Sequence, residues 1–362
     1  MKNDLICHIG IPKLRKLMST EGETLRVVRC LCFLSLLLMF LITFRVFQWL
    51  IAMMCLFFPT ARISYDNTCA CGFWTLCLYI LELNGVQVIL TGDELELDNS
   101  LVISNHASLV DYLIFPFLTL KAIEHQFSDK KPAEDKPDKK DTKDKYTRLM
   151  DLREHIICKD LTSNLLIPKM NFFTWFHIWN MPSLKLFKNI SETDENWELD
   201  SNTLHSIFKN YLDDSDTSES PSWLVSFPEV NIFTEADLQI QSELSDKYYL
   251  PTLTHLLYPR YSNFANAITG LYRSNFTRLY DVTLLYFKQN EDGEVIFEAP
   301  SLFDVFGLSD SQYTVLINIQ AKLMSRIPVK RNKVEKWLEG RWVKKDALIK
   351  KYRDQLSTPK KS

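Results

Sequence analysis

The segment Leu101-Val-Ile-Ser-Asn-His-Ala-Ser-Leu-Val-Asp111 indicates the class of fold, because it passes from an apolar strand through a polar turn into a helix. The strand is expected at Leu101–Ser104, and the turn carries His106. The helix is expected from about residue 108 to residue 122, with Asp111 in its first turn. A strand that leads through a turn into a helix is typical of an α/β protein, whose ligand cleft lies beyond the strand ends.

Other parts of the chain extend this pattern. Further strands are expected at residues 85–90, 164–168, 223–227, 253–258 and 282–287, with helices between several of them. The alternation predicts a mixed sheet flanked by helices, in a domain covering residues 83–328. Within it, residues 128–145 read SDKKPAEDKPDKKDTKDK, and a run this charged cannot bury enough apolar surface to fold, so we expect a solvated loop.

An apolar stretch precedes the domain. Residues 30–58 contain a single charged side chain, Arg45, and the stretch exceeds the roughly 20 residues that span a bilayer. We expect membrane-anchoring helices over residues 30–82, either one long tilted helix or two half-length helices hinged near Arg45. A buried core helix is the alternative. Residues 1–29 carry six basic and three acidic side chains, which favours a cytosolic N-terminus. A re-entrant hairpin, or a second crossing through residues 69–81, would return the domain to the cytosol.

Charge and cysteine usage exclude several classes of protein. The formal charge of −3 argues against a nucleic-acid binder, yet the last 41 residues carry 14 basic and only four acidic side chains. Residues 329–362 therefore predict a basic amphipathic helix, which either lies on an anionic bilayer or packs against the domain. The eight cysteines form no C-x-x-C pair, and no histidine-rich spacing accompanies them, so we expect no metal site.

The spacing of His106 and Asp111 has a chemical and a structural interpretation. A carboxylate that reaches one imidazole nitrogen fixes the tautomer, and the other nitrogen is then free to take a proton from a hydroxyl. The structural alternative is that Ser108-Leu-Val-Asp111 is a capping box, in which Asp111 only satisfies backbone amides at the start of the helix.

The stretch Asn105-His-x-x-x-x-Asp111 is similar to the first motif of the glycerolipid acyltransferases, the 1-acylglycerol-3-phosphate and lysophospholipid acyltransferase family. The resemblance implies the fold of that family, with His106 as general base and Asp111 as its partner. It also implies that a lysophospholipid hydroxyl attacks the thioester of an acyl-CoA, with no further cofactor and no metal. Ser226-Phe-Pro-Glu-Val-Asn231 resembles the F-P-E-G motif of the same family.

The motifs together imply a set of substrate-binding residues: Asn105, Lys188, Phe227, Pro228, Glu229, Pro259 and Arg260. Two positions depart from the family. Lys188 stands where relatives carry an arginine, and a lysine lacks the bidentate fork of a guanidinium. Val230 stands where glycine is usual, although Asn231 tolerates a left-handed backbone and could move the turn one residue along.

Two later stretches indicate a branch of the family. Tyr280-Asp-Val-Thr283 and Trp337-Leu-x-x-x-Trp342-x-x-Lys-Asp346 resemble the lysocardiolipin and lysophosphatidylinositol acyltransferase subgroup, with its yeast-type members most similar. Because such an enzyme serves lipid synthesis, we expect an integral membrane protein of the endoplasmic reticulum, and the topology argued above puts its catalytic domain on the cytosolic side. The alternative is a catalytically weak or inactive lipid-binding scaffold with the same fold, which the departures at Lys188 and Val230 favour.

Overall fold

A computed structural model of the chain describes residues 5–8, 23–54, 59–83, 86–129, 169–174, 177–179, 200–216, 221–290, 294–307 and 313–357. These residues form a mixed α/β domain preceded by two long helices. Its strands are β1 (Leu5–His8), β2 (Gln87–Gly92), β3 (Ser100–Ser104), β4 (Lys169–Thr174), β5 (His177–Trp179), β6 (Ser222–Ser226), β7 (Arg278–Gln289), β8 (Val295–Ile296) and β9 (Tyr313–Leu323).

The described strands form one sheet in the order β1-β2-β9-β7-β3-β6-β4-β5, with β8 paired to β7. The neighbours β2–β9, β7–β3, β3–β6 and β6–β4 are parallel, whereas β1–β2, β9–β7, β4–β5 and β7–β8 are antiparallel. The predicted mixed sheet is thus confirmed. The parallel strands β7, β3, β6 and β4 at its centre bring their carboxyl ends to one edge of the sheet.

Helices cover both faces of the sheet. They are α1 (Glu23–Met54), α2 (Pro59–Leu83), α3 (Asp111–Asp129), α4 (Ser201–Asp216), α5 (Glu235–Tyr248), α6 (Tyr261–Gly270), α7 (Leu302–Phe306) and α8 (Arg331–Ser357). One core lies between the sheet and α2, α3 and α7, and the other between the sheet and α4, α6 and α8. Val102 belongs to the first core, whereas Leu101 and Ile103 belong to the second, as alternation along a strand requires.

The N-terminal helices form a hairpin rather than two half-length helices hinged at Arg45. Helix α1 runs without a break through Arg45, whose guanidinium donates to Gln48 Oε1 at 2.7 Å. Gln48 in turn donates to Asp66 Oδ1 of α2 at 3.1 Å, which ties the two helices together. Among the described helices, α1 is the one long and apolar enough to cross a membrane by length and composition, over Thr24–Met53, and only 11% of its apolar window is buried.

Helix α2 is much less exposed than α1. Phe73, Trp74, Cys77, Ile80 and Leu81 are all buried in the core next to α3. The second half of α2 is therefore largely buried against the domain, whereas α1 presents many exposed apolar side chains on its outer face.

Two expectations for the chain outside the site need comment. Residues 253–258 do not form a strand, because Pro251 and Pro259 lack amide donors and the Asp346 carboxylate accepts from the amides of Thr254 and His255 instead. The strand predicted at residues 164–168 lies outside the described residues, as does the predicted charged loop beyond Asp129, where α3 ends.

The predicted amphipathic helix at the C-terminus is α8, and its apolar face is in contact with the domain. Val334, Leu338, Trp342 and Ile349 are buried in the second core. The exposed residues of α8 include six basic side chains: Arg331, Lys333, Lys336, Lys344, Lys350 and Lys351.

Candidate active site

The site lies where two neighbouring parallel strands end. Strands β3 and β6 pair in register, with Ile103 opposite Ser226. His106 and Glu229 each follow three residues after that pair, so the two turns leave the same edge of the sheet side by side. This edge is the usual ligand position in sheets with parallel strands.

His106 and Asp111 are in contact, as the spacing predicts. His106 Nδ1 lies 2.9 Å from Asp111 Oδ2, and their side chains are 4% and 0% exposed. The same carboxylate oxygen accepts from the amides of Ala107 at 2.7 Å and Ser108 at 3.0 Å. Asp111 thus contacts the imidazole and satisfies amides at the start of α3 at once, so the chemical and the structural interpretations are compatible.

The contacts determine which imidazole nitrogen is protonated. A carboxylate oxygen only accepts hydrogen bonds, so His106 Nδ1 donates to Asp111 and the lone pair lies on Nε2. None of the described residues forms a hydrogen bond with Nε2. The ring stacks on Phe227 with centroids 4.3 Å apart and an interplanar angle of 22°. The ring plane is thereby fixed while Nε2 stays available as a base.

A tyrosine that the sequence did not single out completes the surroundings of Asp111. Tyr286 of β7 donates its hydroxyl to Asp111 Oδ1 at 2.6 Å. Burial and the charge of Asp111 raise the pKa of Tyr286 well above its usual value, which keeps the hydroxyl a donor. The two residues lie 175 positions apart, so no local motif could have indicated the contact.

Asn105 connects the turn to the sheet. Its Nδ2 donates to Leu284 O at 3.0 Å and its Oδ1 accepts from Leu284 N at 2.8 Å. The side chain therefore imitates a strand and continues the β3–β7 pairing beyond Ser104. The position of the residue before His106 is set by backbone pairing, and Asn105 is only 3% exposed.

Glu229 is buried beside the histidine. Its Oε2 accepts from the His106 amide at 3.3 Å, and its Oε1 accepts from Trp342 Nε1 of α8 at 2.9 Å. Burial raises the pKa of Glu229 to about 8, although both N–H donors and the charge of Lys345 act in the opposite direction. Glu229 therefore contacts the backbone of the candidate base rather than its ring.

Val230, at the position where the resembling motif has glycine, adopts a left-handed backbone. Its φ is 67°, and Asn231 has no positive φ, so the turn is not moved along by one residue. A left-handed backbone costs an ordinary residue about 1–2 kcal/mol, and a β-branched one is a clear outlier there. The turn keeps its shape because Val230 N donates to Phe227 O at 3.0 Å and Arg260 N donates to Pro228 O at 2.7 Å.

The second of these bonds brings another predicted residue to the site. Arg260 precedes α6, and its guanidinium, half-buried, has no partner among the described residues. Pro259 before it is buried. Lys188 lies outside the described residues. Of the predicted substrate-binding residues, the structure therefore brings Asn105, Phe227, Pro228, Glu229, Pro259 and Arg260 to the two turns.

A series of aromatic contacts connects the site to the N-terminal hairpin. It runs from His106 through Tyr112 of α3, Phe172 of β4, Trp74 and Phe73 of α2 to Phe40 of α1, with centroid separations of 5.0 to 5.8 Å. The candidate base thus lies at one end of an apolar wall and the bilayer-length helix at the other.

Comparisons with known proteins give relatives that match part of the chain. It is 28% identical to 1-acyl-sn-glycerol-3-phosphate acyltransferase 2 of Brassica napus over 159 residues, 44% of this chain and 37% of the relative. It is 29% identical to 1-acyl-sn-glycerol-3-phosphate acyltransferase 3 of Arabidopsis thaliana over 161 residues. It is 31% identical to the delta enzyme of Mus musculus over 156 residues, 43% of this chain and 37% of the relative.

The matches are partial in length. The chain matches a little over a third of the length of these curated relatives. No family model matches the chain, and no solved structure does. Within the described residues, no group of three or more His, Cys, Asp and Glu side chains could hold a metal ion.

Proposed function

We propose that the chain is a membrane-bound O-acyltransferase that moves a fatty acyl group from acyl-CoA to the free hydroxyl of a lysophospholipid. The observation that carries this proposal is the contact of His106 Nδ1 with Asp111 at 2.9 Å, which leaves Nε2 available. The named relatives support the reaction class, since they are 1-acyl-sn-glycerol-3-phosphate acyltransferases.

The chemistry requires only groups that the site holds. His106 Nε2 takes the proton of the acceptor hydroxyl as its oxygen attacks the thioester carbonyl, and Asp111 stabilises the resulting imidazolium. The tetrahedral intermediate collapses with cleavage of the C–S bond. The departing thiolate then takes the proton from the imidazolium, which restores the base. The thioester is already activated, so acyl-CoA is the co-substrate and the proposal involves no metal and no further cofactor.

The proposed location is the endoplasmic reticulum membrane, with the site on the cytosolic side. Strand β1, at residues 5–8, pairs with β2 in the same sheet as the site, and the α1–α2 hairpin lies between them in the sequence. The N-terminal segment and the site would therefore be on one side of the bilayer. The basic excess of residues 1–29 supports the cytosolic side.

The proposed acceptors are lysophosphatidic acid, lysophosphatidylinositol and similar lysophospholipids. Support for the lysocardiolipin and lysophosphatidylinositol subgroup and its yeast-type branch comes from two stretches, Tyr280–Thr283 and Trp337–Asp346. Both stretches are structural neighbours of the site, because Trp342 donates to Glu229 and Asp281 pairs with Ile103 of β3. Arg260, with its guanidinium free of described partners, is the proposed contact for the acceptor phosphate.

The test compares His106→Ala with His205→Ala in isolated membranes supplied with labelled acyl-CoA and a panel of lysophospholipids. His205 is exposed on α4, which packs on the second core, whereas α3 with Asp111 packs on the first, so its loss should leave transfer unchanged. Loss of His106 should abolish transfer at a normal protein level. Transfer by His106→Ala at the wild-type rate would overturn the proposed base.

A second candidate function is a lipid-binding membrane scaffold with little or no activity, which the strained Val230 turn favours. The same panel separates the two. A scaffold would bind lysophospholipid without forming a labelled diacyl product, and His106→Ala would then leave its binding unaltered.

A further inference from the structure

Helix α8 reaches the site from the opposite side of Glu229. The indole N–H of Trp342 donates to Glu229 Oε1 at 2.9 Å, while Glu229 Oε2 accepts from the His106 amide at 3.3 Å. Trp342 is 0% exposed and Glu229 is 2% exposed. One buried carboxylate therefore joins the C-terminal helix to the backbone of the candidate base.

The His106 peptide is held at both of its polar atoms by the turn that carries Glu229. Its N–H donates to Glu229, and its carbonyl accepts from the amide of Phe233 at 2.9 Å. The Phe227 ring stacks on the imidazole from the same turn. The placement of this turn consequently sets the placement of His106, and a displaced Glu229 would displace the ring.

Helix α8 is itself fixed to the central sheet by a buried ionic cluster. Arg341 donates to Asp281 Oδ2 at 2.6 and 2.8 Å, and Lys345 Nζ lies 2.9 Å from Asp281 Oδ1. Lys345 also donates to Val282 O at 2.7 Å. Asp281 is the partner of Ile103 in the β3–β7 pairing, so this cluster fixes α8 to β7, the neighbour of the strand that leads into His106.

The charges of the cluster balance only when Glu229 is counted. Arg341 and Lys345 provide two positive charges, and Asp281 provides one negative charge. Lys345 lies over the Trp342 ring at 4.5 Å from its centroid and lowers the pKa of Glu229. Burial raises the pKa of Glu229 to about 8, so Glu229 becomes the second anion once it is ionised, and Trp342 donates to it from α8.

We propose that Trp342 is a positioning residue of the active site. Its N–H orients Glu229, and Glu229 holds the His106 backbone so that Nε2 is directed at the acceptor hydroxyl. The inference rests on the proposed transferase function for the identity of that hydroxyl, and otherwise only on contacts of the chain. Helix α8 is then a part of the catalytic apparatus and does more than cover the core.

The test is a double-mutant cycle of Trp342→Phe and Glu229→Gln in the full-length membrane protein, with Trp337→Phe as the matched control. Phenylalanine keeps a ring and removes the N–H donor, and Trp337, five residues earlier on α8, stacks on Phe264. Loss of a hydrogen bond to a charged group predicts that kcat falls about tenfold or more in Trp342→Phe, with KM for both substrates changed less than about twofold. The double variant should be no slower than Glu229→Gln, because Trp342 acts through Glu229.

A second measurement needs no turnover. The same proteins are treated with diethyl pyrocarbonate, and modification of His106 and of exposed His205 is followed by mass spectrometry. Trp342→Phe should change the rate at His106 severalfold and leave the rate at His205 as in wild type, and Trp337→Phe should change neither.

The outcomes separate the two proposals. Additive losses in the cycle, or unchanged labelling of His106 in Trp342→Phe, would overturn the positioning role. Absence of acyl transfer by the wild-type chain would overturn the proposed function, and the labelling experiment would still decide whether Trp342 positions His106.

Discussion

Tyr286 donates its hydroxyl to Asp111 Oδ1 at 2.6 Å, although the two residues lie 175 positions apart and on different elements. Tyr286→Phe leaves that oxygen buried without a donor, which should lower the free energy of unfolding by about 1–3 kcal/mol. The rate of transfer should fall as well, because Asp111 is no longer held towards His106. Thermal unfolding and initial rates test this, with exposed Tyr272→Phe as the control. Unchanged stability and rate would show that the contact contributes nothing.

Asp111→Asn separates the catalytic from the capping role of Asp111. The amide oxygen of asparagine can still accept from the amides of Ala107 and Ser108, but it has no charge to stabilise an imidazolium. We therefore expect transfer to fall by about 10²–10⁴-fold while the melting temperature changes little. The measurement is the transfer rate in membranes at matched protein level.

Asp304 provides the matched control, since it completes a capping box with Ser301 at the start of α7 and contacts no histidine. Asp304→Asn should leave transfer close to wild type. An Asp111→Asn variant that is as active as Asp304→Asn would mean that Asp111 only caps its helix.

Local parts of the site could be predicted from the sequence, and non-local parts could not. His106 and Asp111 are five positions apart, and their contact follows from a strand, a turn and the first turn of a helix. The contact between Trp342 and Glu229 joins residues 113 positions apart. It depends on how α8 packs against β7, which a motif on either segment does not specify.

The errors in the predicted fold have similar physical causes. The sequence patterns named above predict no strand at β9. Val315, Ile317 and Ile319 nevertheless lie in the first core and Leu316 in the second, an alternation of the kind that indicates a strand. Residues 253–258 have an apolar composition, yet Asp346, about 90 positions away, captures their amides. Apolar composition therefore predicts that a segment is buried. It does not predict whether the backbone amides of that segment bind a neighbouring strand or a side chain.

Val230→Gly should stabilise the protein. Glycine adopts a φ of 67° without strain, and the relief outweighs the larger entropy of the unfolded chain, so we expect a gain of about 1 kcal/mol in the free energy of unfolding. Thermal or denaturant unfolding in detergent is the measurement. Val343→Gly, at an exposed position within α8, should instead lose about 0.5 kcal/mol. A loss of stability at position 230 of similar size would contradict a strained turn.

The hairpin arrangement makes a prediction about topology. Because β1 pairs with β2 in the domain sheet, tags at the N- and C-termini should both be accessible on the cytosolic side of sealed microsomes. Asn275 is exposed in an Asn-Phe-Thr sequence, and it should be unmodified in a eukaryotic host. Protease protection and a glycosidase shift check both. Protection of one tag only, or a glycan on Asn275, would contradict a topology in which both termini and the domain lie on the cytosolic side.

Glu229 should give the enzyme a pH dependence close to neutrality. Burial raises its pKa to about 8, and its carboxylate accepts from His106 and Trp342, so kcat/KM should rise with pH through about 8. Stability should change in the opposite direction. The folded state holds this proton more tightly than the unfolded chain. As the pH rises from about 4.5 to 8, the free energy of unfolding should therefore fall relative to that of Glu229→Gln.

Lys345→Met tests the cause of that pH dependence. Removing the charge that lowers the pKa of Glu229 should move the rising limb of kcat/KM to higher pH. Lys344→Met removes an exposed lysine at the adjacent position, and it should leave the limb in place. The measurement is the pH profile of each variant with one acceptor and one acyl-CoA. A limb that stays where it is in Lys345→Met, or that persists in Glu229→Gln, would assign the titration to a group other than Glu229.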